Sequence, residues 1–223
     1  MRGDTRQQTG SEPRPEGSRR GSQRGSRKEI GRVYLCFADL LDYPGPGLAD
    51  QTRTCADLLA LDHPEAAGCL QEFLDCVEGT PLGRLEEIYT ATFDVNPACY
   101  IFAGYLLFGE SFKRGKFLVR LQEKYRERGF SAGNELADHV PVLFRFLSTL
   151  DPEEVLAQEL VEDCLLPVLG KMNASFKNDT DRPNPYSQVL RAILAVLEQT
   201  PRARLMCEVS GTSPLAPQSG DLR

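Results

Sequence analysis

Apolar residues recur along this chain with the spacing of a helix, and nowhere with the alternation of a strand. Ile30, Val33, Tyr34, Phe37, Leu40 and Leu41 make one stripe at i, i+3, i+4, i+7 spacing. It stops at Tyr43-Pro44-Gly45-Pro46-Gly47, where paired prolines and glycines block its continuation. The pattern then predicts a short helix near 50–60 and another over 64–78. Thr80-Pro81 reads as the N-cap and first residue of a helix whose inward face is Leu82, Leu85, Tyr89 and Phe93. Residues 99–108 are apolar nearly all round, as in a central buried helix, and Gly109 breaks them off. Phe117, Leu118, Leu121 and Tyr125 mark an amphipathic helix ending at Gly129. Another is predicted over 139–149, with Val140, Leu143, Phe144 and Leu147 inward. Asp151-Pro152-Glu153-Glu154 has the form of a capping-box start, and a kink is expected at Pro167. Asn184-Pro185 opens the last helix, carrying Tyr186, Val189, Leu190, Ile193 and Leu197. Helices joined by short connectors predict an all-α, single-domain bundle of about eight to ten helices.

Composition sets the limits of that domain. Residues 1–28 are rich in Gly, Ser, Arg and Gln, too polar to offset ordering entropy, and are expected to form a disordered basic tail. The helical domain is placed at 29–203, with a flexible tail over 204–223. Residues 1–29 carry eight basic and four acidic side chains, whereas the remainder carries 18 basic and 28 acidic. An acidic body argues against nucleic acid, which needs a basic face, and suits a basic peptide or partner surface. The seven cysteines, at 36, 55, 69, 76, 99, 164 and 207, include no CxxC pair. Neither a disulfide framework nor a zinc site is expected, which points to a reducing, cytoplasmic setting. No run approaches the ~20 apolar residues of a membrane span, so no direct membrane insertion is expected. Ser18-Arg19-Arg20-Gly21 has the arginine pair of an export signal, but polar residues follow it, so that reading fails.

Catalytic patterns are missing from the sequence. His63 and His139 are the two histidines, too few for most His-based metal sites, and no HExxH, nucleophile elbow or dinucleotide fingerprint occurs. The run Gly109–Phe117 misses a phosphate-binding loop by one residue of spacing and by Phe117 where Ser or Thr is needed. No enzyme, metal site or tightly bound cofactor is therefore expected. Asp138-His139 admits two readings: Asp138 as the N-cap of the helix starting at His139, or an acid–imidazole pair facing a partner. Glu110 and Arg114, at i and i+4, could pair on a solvated face. Tyr89, Phe93, Tyr100 and Tyr105 read first as core.

As a set, certain residues carry a family pattern. Tyr89-x3-Phe93-Asp94, then Tyr105-x3-Gly109-Glu110-x3-Arg114-Gly115, then Tyr125, resemble the NarJ branch of the NarJ/TorD/DmsD molybdoenzyme chaperones. The run Glu135 to Leu147, with Asp138-His139 inside it, resembles the family's ELPDHLPVVLEFL signature. Leu41-Asp42-Tyr43-Pro44 is similar to its LxYP turn, and Asn184-Pro185-Tyr186 to its motif before the final helix. The resemblance spans roughly 30–200. Ala137 stands in place of the family's Pro, which loosens the turn aiming His139. Arg145 stands in place of Glu, which reverses a charge near the expected groove.

The resemblance implies a cytoplasmic all-helical chaperone. Its expected partner is the N-terminal peptide of a molybdoenzyme catalytic subunit, held while bis-molybdopterin guanine dinucleotide and iron–sulfur clusters are inserted. Tyr89, Phe93, Asp94, Tyr105, Glu110, Arg114, Asp138 and His139 are the implied peptide-binding residues. A monomer, or a weak or domain-swapped dimer, is implied. Two other classes remain open on the sequence: a small helical enzyme or nucleotide switch using His139, and a permanent structural adaptor.

Overall fold

A computed structural model describes residues 17–95, 97, 99–176 and 184–199, with the side chains of 17–27 left aside. Ten α-helical segments follow one another: α1 (Gly17–Leu40), α2 (Leu48–Leu59), α3 (Pro64–Glu78), α4 (Leu82–Phe93), α5 (Ala103–Phe108), α6 (Phe112–Glu127), α7 (Val140–Leu147), α8 (Val155–Glu159), α9 (Leu166–Ser175) and α10 (Tyr186–Gln199). A π turn over Leu160–Leu165 joins α8 to α9, so nine separate helices result among the described residues. The bundle expected from periodicity is present. Helix α1 packs on α2 and α7, α2 on α3, α3 on α10, and α10 on α9. The short α5 lies against α6, α9 and the π turn.

The predicted stripes become the core. Phe37 and Leu40 of α1, and Leu41 just past its end, are fully buried, and the Phe37 ring meets Phe144 of α7 edge-on at 5.8 Å. Tyr186 of α10 stands among Phe73, Tyr89 and Phe93, with ring centroids 5.1–5.7 Å away. Each large side chain buried in this way contributes about 1.5–3 kcal/mol. Packing therefore accounts for Tyr89 and Phe93 before any binding role does.

Several local expectations are corrected. Pro81, not Thr80, is the N-cap of α4. Residues 99–102 are not helical: Phe102 pairs as an isolated antiparallel bridge with His139, and only Ala103–Phe108 coil. Around Asp151 the reciprocal half of a capping box is present, Glu154 Oε1 accepting from Asp151 N at 3.1 Å, but the helix itself starts at Val155. At Pro167 the adjustment lies upstream. The wide π turn removes the regular hydrogen-bonding partner position that a proline ring would strike in an α-helix. The helical backbone of α1 already starts at Gly17, inside the stretch read as a tail. Residues 1–16, and 200–223 with the C-terminal tail, lie outside the described residues.

Candidate functional site

The extended segment before α5 and the segment before α7 are tied together by backbone. Val140 N donates to Ile101 O at 3.1 Å, and Ala103 N to Asp138 O at 2.8 Å. Tyr125 of α6 anchors the same stretch, its hydroxyl donating to Ala137 O at 2.7 Å. This clamp fixes the segment and carries Asp138 into the protein. Asp138 is fully buried. Its Oδ2 accepts from Gly104 N at 3.2 Å and from Arg114 Nε at 3.1 Å. Asp138 is thus not the N-cap of α7. His139 occupies that position without a side-chain cap bond. The helix start that Asp138 serves is α5, 34 residues earlier.

Arg114 correspondingly turns inward and makes no ion pair with Glu110 among the described residues. Its guanidinium carbon lies 5.8 Å from the ring centroids of both Phe102 and Tyr105, a cation–π contact with each. Tyr105 in turn stacks on Tyr100 at 4.1 Å, and their hydroxyl contact pushes the Tyr105 phenol upward. Gly104 is indispensable to this junction. A Cβ there would meet Asp138 Oδ2 at 2.7 Å, Arg114 Cγ at 3.1 Å and Phe117 Cδ1 at 3.1 Å. His139 is buried against Phe102, ring centroids 5.4 Å apart. Burial pushes its imidazole below the ordinary value, outweighing the pull of Glu135 and Asp42. Asp138 Oδ1 and His139 Nδ1 are both buried without a hydrogen-bond partner among the described residues.

A second neighbourhood adjoins the first. The outward face of α4, with the exposed Tyr43 and Val95, bounds an open groove of about 610 Å³. Gly83, Glu86, Glu87, Thr90 and Ala91 complete its wall. Tyr89 and Phe93 of the same helix are buried in the core and do not line it, although Tyr43 meets Tyr89 at 5.4 Å and 72°. Asp42 and Glu135 act electrostatically on both Tyr89 and His139, so acid surrounds this whole region. Arg145 meets two acids here: Asp42 Oδ2 in the turn after α1 at 2.6 Å, and Asp39 Oδ1 of α1 at 3.4 Å.

Of the residues proposed from sequence, the structure brings Tyr105, Arg114, Asp138 and His139 together. Tyr89 and Phe93 lie in the core, while Asp94 and Glu110 are exposed, Glu110 near enough to Tyr105 to act on it electrostatically. Sequence reading missed Gly104, Tyr43, Glu86, Glu87 and Val95 as site residues. A glycine inside the apolar run 99–108 was the available signal for Gly104. The acids of α4 read as an ordinary solvated face.

Comparison with known proteins agrees with this architecture. The chain is 26% identical over 163 residues to the nitrate reductase-like protein NarX of Mycobacterium tuberculosis, covering 72% of this chain and 24% of that protein. It is 30% identical over 115 residues to the probable nitrate reductase molybdenum cofactor assembly chaperone NarJ of Bacillus subtilis, covering 51% of this chain and 59% of the relative. The chain thus spans about a quarter of the first of these proteins and well under two thirds of the second. In fold it is similar to a crystal structure of an Archaeoglobus fulgidus protein assigned to redox enzyme maturation. The TM-score is 0.52 at 21% identity, covering 77% of this chain and 94% of the other. Residues 57–172, from the last turn of α2 into α9 and so including the α5–α6 junction and the α4 wall of the groove but not Tyr43, match the family described as nitrate reductase delta subunit. The chain belongs to that family.

Proposed function

We propose that this protein is a chaperone dedicated to a nitrate reductase-like molybdoenzyme. It captures the N-terminal segment of the catalytic subunit in the cytoplasm and keeps it open while the molybdenum cofactor and iron–sulfur clusters are inserted. The observation that carries the reading is the groove on α4. An open channel of about 610 Å³, with Glu86 and Glu87 on its wall and Tyr43 and Val95 exposed at its edge, fits a basic segment with apolar anchors. Family membership and the name of the Bacillus relative support the same role. The protein acts on its client by holding it, and makes or breaks no bond of the client.

Calorimetry with the full chain and a peptide of the cognate catalytic subunit's N-terminus tests this. The expected dissociation constant is about 1 μM or tighter. No heat, and no displacement of the intact subunit by the peptide, would sink it.

A second reading has its own support. The family is described as a subunit, and a homologous stretch forms part of a much longer nitrate reductase-like protein. A permanent adaptor would co-purify in fixed stoichiometry with the mature enzyme, whereas a chaperone leaves it once loading is complete.

A further inference from the structure

Helix α6 is a basic helix on an acidic body. It carries six basic and two acidic side chains, whereas the chain beyond residue 29 holds 18 basic and 28 acidic ones. Its inner face is Phe117, Leu121 and Tyr125. On the opposite face Phe112, Lys116 and Val119 follow one another at i, i+4 and i+7, with Lys113 beside them, and all four are exposed. Phe112 is 79% and Val119 54% exposed. The Lys116 ammonium lies 5.2 Å from the Phe112 ring centroid.

Local stability does not explain this face. Lys113, Arg114 and Lys116 crowd the start of the helix, where the dipole disfavours cations and no acid offsets them. Arg114 is accounted for by Asp138, but Lys113 and Lys116 have no ion-pair partner among the described residues. A large ring left in water between two such lysines marks a contact surface.

The same molecule exposes the complementary surface. No basic side chain lines the α4 groove, whose wall carries Glu86 and Glu87 and whose edge carries Tyr43 and Val95. Gly83 and Ala91 on that wall let another helix come close. Anchors at i, i+4 and i+7 are the spacing with which a helix lies in a groove.

We propose that two copies of this chain associate head to tail, the outer face of α6 in one seated in the α4 groove of the other. Phe112 and Val119 meet the apolar edge, and Lys113 and Lys116 face Glu86 and Glu87. The contact joins two different surfaces, so reversing the charge of either breaks it. The groove is filled by a neighbour at high protein concentration and open at low concentration. Charge and exposure within this chain carry the contact, whatever else the groove binds.

The test is light scattering and sedimentation of the full chain under reductant, from about 1 to 300 μM. Mean mass should rise with concentration, and added salt should reduce the rise. Lys113→Glu with Lys116→Glu should stay monomeric, as should Glu86→Lys with Glu87→Lys. Mixing these two variants should restore association, because each then offers the charge that the other's surface needs. Phe112→Ser keeps every charge and should weaken association about tenfold; it decides the matter if a reversal variant loses its helical circular dichroism. Wild-type protein that is monomeric throughout overturns the proposal. So does association that survives either reversal, a mixture that stays monomeric, or Phe112→Ser associating as the wild type does. No client is present, so failure here is distinct from failure of client capture.

Discussion

Arg114 Nε sits 3.1 Å from Asp138 Oδ2, joining the first turn of α6 to the residue that leads into α7. The same oxygen receives the Gly104 amide, so one carboxylate closes a junction of three elements. Asp138 is fully buried and the Arg114 side chain is 22% exposed, so the pair is largely screened from water. Removing one partner of such a pair is costly because the other is left stranded. Arg114→Ala is expected to lower unfolding free energy by about 3 kcal/mol. Adding Asp138→Asn to it should recover part of the loss. Gly104→Ala, which puts a methyl 2.7 Å from Oδ2, should cost about 1–3 kcal/mol. Urea titrations of these variants and of Asp138→Asn alone check these values, and strict additivity in the double variant would refute the coupling.

His139 makes stability depend on pH in one direction. Its folded pKa is lowered by burial, so the unfolded chain binds a proton that the folded chain refuses. This contribution is complete above the unfolded value, about 6.5, and stability falls as pH drops from there toward the lowered folded value. Glu135, Asp42 and Asp138 favour the charged ring and Arg145 opposes it, without reversing the sign. The urea midpoint of the wild type should fall between about pH 7.5 and 5.5 more steeply than that of His139→Gln. Parallel slopes would contradict this.

The α4 groove should discriminate by charge. Glu86→Lys with Glu87→Lys reverses its wall, and affinity for a basic client peptide should drop roughly tenfold or more, with a weaker salt dependence. Stability should barely change: Glu87 loses only a surface pair with Arg84, worth about 0–1 kcal/mol. Unaltered peptide affinity by calorimetry would place the client elsewhere on the surface.

Much of the architecture was legible because its elements are periodic. Helix α3 was expected at 64–78 and is Pro64–Glu78, since its apolar face repeats cleanly and Pro64 marks its start. The stretch 99–102 was misread because a buried extended segment and a buried helix are equally apolar, and period cannot separate them. One of the two readings of Asp138, the local cap, fails although an acid before a helix usually is one. Its true partners, Gly104 and Arg114, lie 34 and 24 residues away and meet it only through folding. Glu86 and Glu87 were invisible as a site because a groove wall and a solvated helix face have the same composition.

At the start of α10, two polar side chains behave in opposite ways. Asn184 is fully used: Nδ2 donates to Thr92 Oγ1 at 2.7 Å and Oδ1 accepts from Tyr186 N at 3.0 Å. The Tyr186 hydroxyl is buried without a partner among the described residues. Asn184→Ala should cost about 1–2 kcal/mol, whereas Tyr186→Phe should be neutral or slightly stabilising. Thermal melts of both would show it, and a large loss for Tyr186→Phe would mean the hydroxyl is engaged.

Arg145 is expected to matter little for stability. It reaches Asp42 and Asp39 from a side chain 33% exposed, against partners 43% and 44% exposed. Solvent screening limits such pairs, so Arg145→Ala should cost under about 1 kcal/mol. Arg145→Glu sets three acids together at the α1–α7 contact and should cost more, with high salt restoring part of the difference. A salt-independent loss would point to packing instead of charge.

The wide turn at Leu160–Leu165 has a consequence for how this chain can vary in length. A regular helix cannot lose a residue without rotating everything beyond it by about 100°. Here one surplus residue is already absorbed in the turn, so a single deletion within it regularises the helix and leaves Val168, Leu169 and Met172 facing the interior. Pro167 is what such a shortened helix must also give up, because its ring then strikes a carbonyl one turn back. Homologues that lack one residue here should therefore carry a different residue at the position of that proline.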